Sequence, residues 1–160
     1  MVRKCSGSQV VAIAALLASC AGPTRPSTSD SLQLTVSPAE TLVGSGSMAT
    51  FTMRLTNIGT QAITLTFPSS CQIVPHFTDR SGRDVVPVGG GFACLTVLTS
   101  LTLAPGESTI RMVDVREGDQ PQSPYVVMPE GEYAIYATLE DRDFRLRSAP
   151  VAFTLLRAGP

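Results

Sequence analysis

Four cysteines and one histidine are the side chains of this 160-residue sequence with the most capacity for chemistry. The histidine, His76, alternates with Ile73, Pro75 and Phe77, which predicts an outward position on a strand rather than a catalytic or metal-binding role. No G-x-S-x-G, H-E-x-x-H or P-loop motif occurs in the sequence. A formal net charge of −1 gives no basic footprint for nucleic acid. The sequence therefore predicts a protein without catalytic activity, cofactor, metal, nucleic-acid partner or small-molecule substrate.

The N-terminal segment has the pattern of an export signal. Arg3 and Lys4 give a positive start, and the uncharged apolar run VVAIAALL follows over residues 10–17. As a helix this run would span about 12 Å, against about 30 Å for the hydrocarbon core of a bilayer. A permanent transmembrane helix is therefore not expected, and residues 1–19 are predicted to be a signal peptide.

The tetrapeptide LASC at residues 17–20 resembles the lipobox of bacterial lipoproteins. In that family the cysteine thiol receives a diacylglycerol group, and the signal is cut immediately before it. The resemblance implies lipid attachment at Cys20 and localisation in the cell envelope, at the outer membrane of a Gram-negative cell because Ala21 follows. The alternative is an unmodified cysteine beside an ordinary signal-cleavage site. Residues 20–31, rich in Pro, Ser and Thr, are predicted to be the lipidated cysteine and a flexible linker.

Cys71 and Cys94 remain as a pair, because Cys5 lies in the signal peptide and Cys20 is assigned to lipid. Export places the pair in an oxidising compartment, where a disulfide is the default. Such a bridge would stabilise the fold by about 3.5 kcal/mol in the chain-entropy model. Two free thiols and a metal site are the alternatives, although a zinc site needs more ligands than one histidine can add.

From Leu32 onward, apolar and polar residues alternate with the period of two that is typical of strands. The alternating apolar positions are Leu32, Leu34 and Val36; Ala49, Phe51, Met53 and Leu55; Ile63, Leu65 and Phe67; Leu101 and Leu103; Ile110 and Met112; Tyr133, Ile135, Ala137 and Leu139; and Val151, Phe153 and Leu155. Turn sequences separate the runs, and NIGTQ at residues 57–61 is predicted to close a hairpin. Pro105 and Gly106 are predicted to form a type II turn. Residues 32–157 are therefore predicted to form one all-β domain, an immunoglobulin-like antiparallel β-sandwich of about seven to eight strands.

Tyr133 follows the sequence EGE and is similar in position to the tyrosine corner of immunoglobulin-like domains. Antibody domains have a core cysteine two residues later, whereas this chain has Ile135. The similarity is therefore one of architecture. A bridge from Cys71 to Cys94 is predicted to tie down a connection between strands rather than to join the two sheets.

Four segments occur in order along residues 48–139: ATFTMRLTNIGTQAITLTFPSSCQ, PHFTDRSGRDV, LTSLTLAPGES and MPEGEYAIYATL. Together they resemble the BsuPI family, the intracellular proteinase inhibitor domain. The resemblance implies an immunoglobulin-like sandwich and, from the name of the family, inhibition of serine proteases. Two features depart from the family: the export signal, and the run Val85-Val86-Pro87 where an aromatic residue usually follows. The family has no motif that assigns inhibitory contact residues to positions of this chain.

Two long connections are candidate partner-binding loops. Residues 79–93 lie inside the expected disulfide loop, and constraint of a loop lowers the ordering cost of binding. Residues 116–130 carry a short apolar stretch that includes a tyrosine. The candidate contact residues are Arg80, Arg83, Val86, Phe92, Tyr125, Val127 and Met128. The alternative is that both segments are ordinary connections and that residues 125–128 form an edge strand.

Two functional classes follow from these features. The first is a membrane-anchored lipoprotein whose noncatalytic sandwich binds another protein, with a serine protease as the partner that the family resemblance implies. The second is a structural or accessory envelope lipoprotein without inhibitory activity. An inhibitor would form a stoichiometric complex with a protease, whereas an accessory lipoprotein would have stable envelope partners that are not proteases.

Overall fold

The structure is a computed structural model that describes residues 28–44 and 46–157. The predicted signal peptide, the lipid attachment expected at Cys20 and residues 20–27 of the predicted linker lie outside the described residues. A 3-10 turn, Thr28–Ser31, precedes the first strand. In the described part of the chain, no helix is long and apolar enough to span a bilayer.

Strands make up the rest of the regular structure. Their bounds are β1 (Leu32–Pro38), β2 (Leu42–Val43), β3 (Met48–Asn57), β4 (Ile63–Phe67), β5 (Ile73–Asp79), β6 (Asp84–Val85), β7 (Thr99–Leu103), β8 (Ser108–Glu117), β9 (Val126–Met128), β10 (Gly131–Leu139) and β11 (Val151–Leu155). They form a four-stranded sheet in the order β1-β3-β8-β9, a five-stranded sheet in the order β2-β11-β10-β5-β6, and a β4-β7 pair. The count exceeds the predicted seven to eight because β2, β6 and β9 are very short edge strands. Pairing is antiparallel as predicted except at two of these edges, where β9 runs parallel to β8 and β2 runs parallel to β11.

The two larger sheets pack face to face and bury alternating apolar side chains between them. β3 directs Phe51, Met53 and Leu55 into this core. The ring centroid of Phe51 lies 4.9 Å from that of Phe153 on β11 of the facing sheet. The β4-β7 pair adds Phe67 to the same core. The structure therefore confirms the predicted all-β, immunoglobulin-like sandwich.

Two local features predicted from the sequence are present. The hydroxyl of Tyr133 donates a hydrogen bond to the carbonyl of Pro129 at 3.1 Å, which is the contact of a tyrosine corner. Between β7 and β8, the N–H of Glu107 donates to the carbonyl of Ala104 at 3.0 Å. Gly106 has a φ of 77°, the left-handed conformation that the third residue of a type II turn requires. The tyrosine corner and the type II turn therefore both follow from the local sequence.

The connection at residues 57–61 does not close the predicted hairpin. The strands that it joins, β3 and β4, belong to different sheets, so the prediction is wrong. The buried side chain of Asn57 organises this crossing instead. Its amide nitrogen donates to the carbonyls of Gln61 at 2.8 Å and Leu103 at 2.9 Å, and its oxygen accepts from the N–H of Gly59 at 2.9 Å. Hydrogen bonds from the Asn57 side chain, together with those from the N–H groups of Ile58 and Gly59 to the Ser31 carbonyl, therefore hold this chain crossing.

β8 lies in the opposite register from the predicted one. Ile110 and Met112 point to solvent, whereas Val113 and Val115 lie in the core. Both pairs are spaced by two, so the apolar alternation changes phase within the strand. Arg111, the fourth residue of β8, takes an inward position, and its guanidinium donates to the Ile73 carbonyl on β5 at 2.9 Å. This hydrogen bond and the buried valines together set the register.

Candidate functional site

The predicted disulfide joins Cys71 to Cys94, with Cα atoms 5.4 Å apart. Cys71 lies in the connection between β4 and β5, and Cys94 lies in the connection between β6 and β7, which we call the β6–β7 loop (residues 86–98). The bridge therefore ties down a connection between strands, as predicted. It fixes the β6–β7 loop beside the start of β5 and removes the free-thiol and metal alternatives for this pair.

Beyond Cys94, the β6–β7 loop exposes a run of apolar side chains. Leu95 is 74% exposed, Val97 46% and Leu98 65%. Single exposed apolar residues are common on protein surfaces, whereas a cluster within one short stretch is typical of a contact site. Residues 95–98 are called the exposed segment below. No charged side chain occurs from residue 85 to residue 106, so the exposed segment is also uncharged along the chain.

Hydrogen bonds hold both ends of the exposed segment against the β4–β5 connection. The N–H of Leu95 donates to the hydroxyl of Ser70 at 2.9 Å, and the carbonyl of Leu95 accepts from the N–H of Ser70 at 3.0 Å. Just past the other end, the hydroxyl of Thr99 donates to the carbonyl of Ser69 at 3.2 Å. With the disulfide, these bonds fix a short backbone stretch whose side chains face solvent.

The middle of the exposed segment has backbone groups without a partner. The N–H of Val97 donates back to the carbonyl of Leu95 at 2.9 Å. The N–H and C=O groups of Thr96 and Leu98 make no hydrogen bond within residues 28–44 and 46–157. The bond between Val97 and Leu95 closes a three-residue γ-turn centred on Thr96. The free backbone groups that a partner can bind therefore lie at the tip of this turn, on Thr96, and just past it, on Leu98.

A depression of about 270 Å³ lies beside the disulfide and is lined by the predicted contact residues Val86 and Phe92 together with His76. Val86 is exposed and Phe92 is half-buried, with the guanidinium carbon of Arg111 5.6 Å from the Phe92 ring centroid. His76 lies on the outward face of β5, as predicted, and its Nε2 is 2.8 Å from the hydroxyl oxygen of Thr138. Val86 and Phe92 are therefore predicted residues that share a depression with Cys94, the residue just before the exposed segment.

Arg80 and Arg83, also predicted contacts, lie in the turn between β5 and β6. The seven residues of β5 separate this turn from the exposed segment by about 20 Å. Arg83 forms an ion pair with Asp79 at 2.8 Å, and Arg80 forms one with Glu132 at 3.3 Å. Hydrogen bonds from the Ser81 hydroxyl and the Arg83 backbone hold the pKa of Asp79 well below its usual value. Its own hydrogen bonds and the Arg80–Glu132 ion pair to β10 therefore hold this turn at the far end of the sheet.

Val127 and Met128 are buried, at 2% and 0% exposed, so the prediction that they contact a partner is wrong. β9 pairs with β8, and the N–H of Val88 donates to the carbonyl of Val127 at 2.8 Å, which covers the strand from outside. Tyr125 is half-buried, with the guanidinium carbon of Arg116 5.7 Å from its ring centroid. The alternative interpretation of this region, an edge strand, is confirmed for Val126–Met128.

A larger depression of about 720 Å³ opens on the outer face of the five-stranded sheet, next to Arg80. The charged side chains that line it have partners: Arg80 pairs with Glu132, and Arg147 lies 3.7 Å from the ring centroid of Tyr136. Among the residues that the structure describes, no three His, Cys, Asp or Glu side chains are arranged to hold a metal ion. The exposed segment is therefore the better candidate site, because its backbone groups and side chains are available.

Sequence reasoning missed Leu95, Val97 and Leu98, because the predicted loop ends at residue 93. The order Leu95-Thr96-Val97 has the period of a strand, which indicates a place in a sheet rather than an exposed site. The signal that points to the site is the absence of charge in residues 85–106 combined with a cysteine that closes the loop. That combination is typical of a constrained apolar surface.

Solved structures similar to this chain share little sequence with it. The crystal structure of the CARDB domain of a Pyrococcus furiosus protein is 14% identical, covers 78% of this chain and 87% of its own, and has a TM-score of 0.44. The solution structure of that domain is 14% identical, covers 79% of this chain and 94% of its own, and has a TM-score of 0.48. A β-glucosidase from Erythrobacter marinus is 14% identical over 79% of this chain and 15% of the enzyme, with a TM-score of 0.44. No curated protein matches the sequence.

The sequence does match one family over most of the sandwich. The family is BsuPI, described as intracellular proteinase inhibitor, and the match covers residues 34–144. This range includes the disulfide and the whole of the exposed segment. Because the match spans more than half of the chain, it confirms the resemblance carried by the four sequence segments: the chain belongs to the BsuPI family of intracellular proteinase inhibitors.

Proposed function

We propose that this chain is a noncatalytic, membrane-anchored inhibitor of a serine proteinase and that it binds the proteinase through the exposed segment. Membership of the BsuPI family supports the class of activity. The observation that carries the proposal is the way in which the exposed segment is held. Its apolar side chains are exposed on a backbone that a disulfide and hydrogen bonds hold at both ends.

A segment held in this way binds with a smaller entropic cost than a flexible one. Ordering a flexible interface costs about 0.5–1.5 kcal/mol for each immobilised side chain, and further free energy for the loop backbone. The clamps at Leu95 and Thr99 restrict the backbone before binding. Backbone hydrogen bonds to the partner would add to the apolar contacts. The groups available for them are the N–H and carbonyl of Thr96, at the γ-turn, and of Leu98, just past it.

The clamps also oppose release of a cleaved product. If a proteinase cut the peptide bond after Leu98, Cys94 would stay bonded to Cys71 on one side of the cut. On the other side, Thr99 would stay hydrogen-bonded to Ser69. The new carboxyl and amino ends would therefore remain close together in the active site, and the proteinase would stay occupied.

The proposed function is tested by titrating the full chain, with the bridge oxidised, against subtilisin, chymotrypsin and trypsin. Residual proteinase activity and the intact mass of the chain are followed in the same samples. We expect a one-to-one loss of activity with at least one of these enzymes while the chain stays uncut, because the clamped segment resists turnover.

A matched control replaces Leu95, Val97 and Leu98 by serine. This variant keeps the disulfide and both backbone clamps, so it should retain the thermal unfolding midpoint and lose inhibition. Rapid cleavage of the wild-type chain as an ordinary substrate would contradict the proposal. Absence of inhibition at micromolar concentrations would contradict it too and would favour a structural or accessory envelope lipoprotein.

We further propose that a lipid on Cys20 holds the inhibitor at the cell envelope. The LASC tetrapeptide after a short apolar run supports this assignment. The mature chain should begin at Cys20 and carry the mass of attached acyl groups, and Cys20→Ser should move the protein from the membrane fraction to the soluble fraction. An unmodified mass at Cys20, or membrane association that survives the substitution, would contradict lipid anchoring.

A further inference from the structure

We infer that Leu98 enters the primary specificity pocket of the proteinase, so that the target has an apolar pocket rather than an acidic one. The inference rests on the proposed function. It adds the residue that the enzyme recognises and the chemistry of that recognition. Three observations carry it: the free backbone at Leu98, the exposure of its side chain, and the absence of charged residues along residues 85–106 of the chain.

The backbone pattern selects the position. An enzyme that hydrogen-bonds the backbone of the residue in its specificity pocket needs that residue's N–H and C=O to be free. Thr96 and Leu98 meet this condition in the described part of the chain, but Thr96 is polar and forms the centre of the γ-turn. Thr99, the next residue, is held by the Ser69 carbonyl through its side chain. Leu98 is therefore the apolar residue with a free backbone that follows the γ-turn, immediately before the second clamp.

Leu95 is the rival position, because its side chain is even more exposed than that of Leu98. The backbone N–H and carbonyl of Leu95 are both bonded to Ser70, so neither is available for a partner strand. Val97 is less exposed, and its N–H is bonded to the Leu95 carbonyl. Leu98 is thus the apolar residue at which both side chain and backbone are available.

The charge pattern selects the class of enzyme. Serine proteinases with trypsin-like specificity carry a carboxylate in the pocket, whereas chymotrypsin has a hydrophobic slot. No charged side chain occurs in residues 85–106, so nothing on this stretch of chain can neutralise a carboxylate buried by the inhibitor. A leucine that leaves water for an apolar slot gains free energy from its buried area. The segment therefore fits the hydrophobic slot and is unfavourable for the acidic pocket.

The test changes the inhibitor side chain that enters the pocket. Leu98→Lys places a cation where an acidic pocket binds it, and Leu95→Lys is the matched control with the same charge on the same segment. The wild type and both variants, as full oxidised chains, are titrated against chymotrypsin and trypsin. We expect the wild type to inhibit chymotrypsin about 100-fold more strongly than trypsin, and Leu98→Lys to reverse this preference. Leu95→Lys should weaken chymotrypsin inhibition by about tenfold at most and gain none against trypsin.

The outcomes separate this inference from the function on which it rests. Wild-type inhibition with no change of preference in Leu98→Lys would overturn the assignment of Leu98 and leave the proposed function standing. Trypsin inhibition gained by Leu95→Lys instead, or a wild type that prefers trypsin, would overturn it as well. A wild type that inhibits neither enzyme, nor subtilisin, would overturn both. Thermal unfolding verifies that the wild type and both variants fold. We expect that they do, because the substituted residues, Leu95 and Leu98, are exposed.

Discussion

Replacing Cys71 and Cys94 together by alanine is expected to lower the free energy of unfolding by about 3.5 kcal/mol. The bridge closes a long loop, so its removal returns conformational entropy to the unfolded chain. The same change is expected to weaken proteinase inhibition by about tenfold or more, since the Leu95 end of the exposed segment would then be held by hydrogen bonds to Ser70 alone. Urea unfolding followed by circular dichroism measures the first effect, and the activity titration measures the second.

The control for thiol removal is Cys20→Ser, which changes a cysteine outside the sandwich. It should leave both the unfolding free energy and the inhibition constant of the oxidised protein unchanged. Loss of stability without any loss of inhibition in the double alanine variant would contradict the role given to the bridge. The disulfide would then support the fold without organising the exposed segment.

Asn57→Ala is expected to lower the free energy of unfolding by about 3 kcal/mol or more, because each buried polar group left without a partner costs about 1–3 kcal/mol. The carbonyls of Gln61 and Leu103 accept from this buried side chain, and the N–H of Gly59 donates both to it and to the Ser31 carbonyl. These groups lie where the chain crosses from one sheet to the next, so the loss of the hydrogen bonds destabilises the whole crossing. Urea unfolding with a two-state fit gives the change directly.

Thr64→Ala is a matched control for Asn57→Ala, because it also removes one polar side chain near the β4-β7 pair. The Thr64 hydroxyl bonds Thr102 at 2.9 Å on the exposed face, so its loss should cost only about 0.5 kcal/mol. Equal effects of the two substitutions would mean that Asn57 does not organise the crossing. A changed dependence on urea concentration in Asn57→Ala would instead indicate a change in the unfolded state.

The fold was largely predictable, because the alternation of apolar and polar residues along a strand indicates which of its faces is buried. β3 follows the predicted pattern from end to end, with Phe51 and Met53 in the core, and β10 follows it except that Tyr136 is also buried and Tyr133 is only half-buried. β8 does not, since its apolar residues support two phases, and the burial of Val113 and Val115 with the Arg111 hydrogen bond to β5 selects one. The crossing at residues 57–61 was not predictable from local turn residues, because a hairpin turn and a sheet-to-sheet crossing use the same residue types.

The candidate site was predictable only in part. The cysteine count predicts the Cys71–Cys94 bridge, because two remaining thiols in an exported chain can form only one intramolecular disulfide. The exposure of Leu95 and Leu98 depends on where the chain leaves the sheet, and a strand-like apolar run does not reveal that. In the same way, Val127 and Met128 have the composition of a surface patch but are buried, because β9 pairs with β8, Met128 joins the core and Val88 bonds to Val127.

Amide hydrogen exchange of the proteinase-bound chain tests the central claim most directly. In the free protein the N–H groups of Thr96 and Leu98 lack hydrogen-bond partners among the described residues, so they should exchange rapidly. Binding through the exposed segment predicts that both amides exchange about 100-fold more slowly in the complex, while the turn at residues 79–83 is unchanged. Protection of that turn, or of the region around Tyr125, without protection of residues 95–98 would contradict the claim.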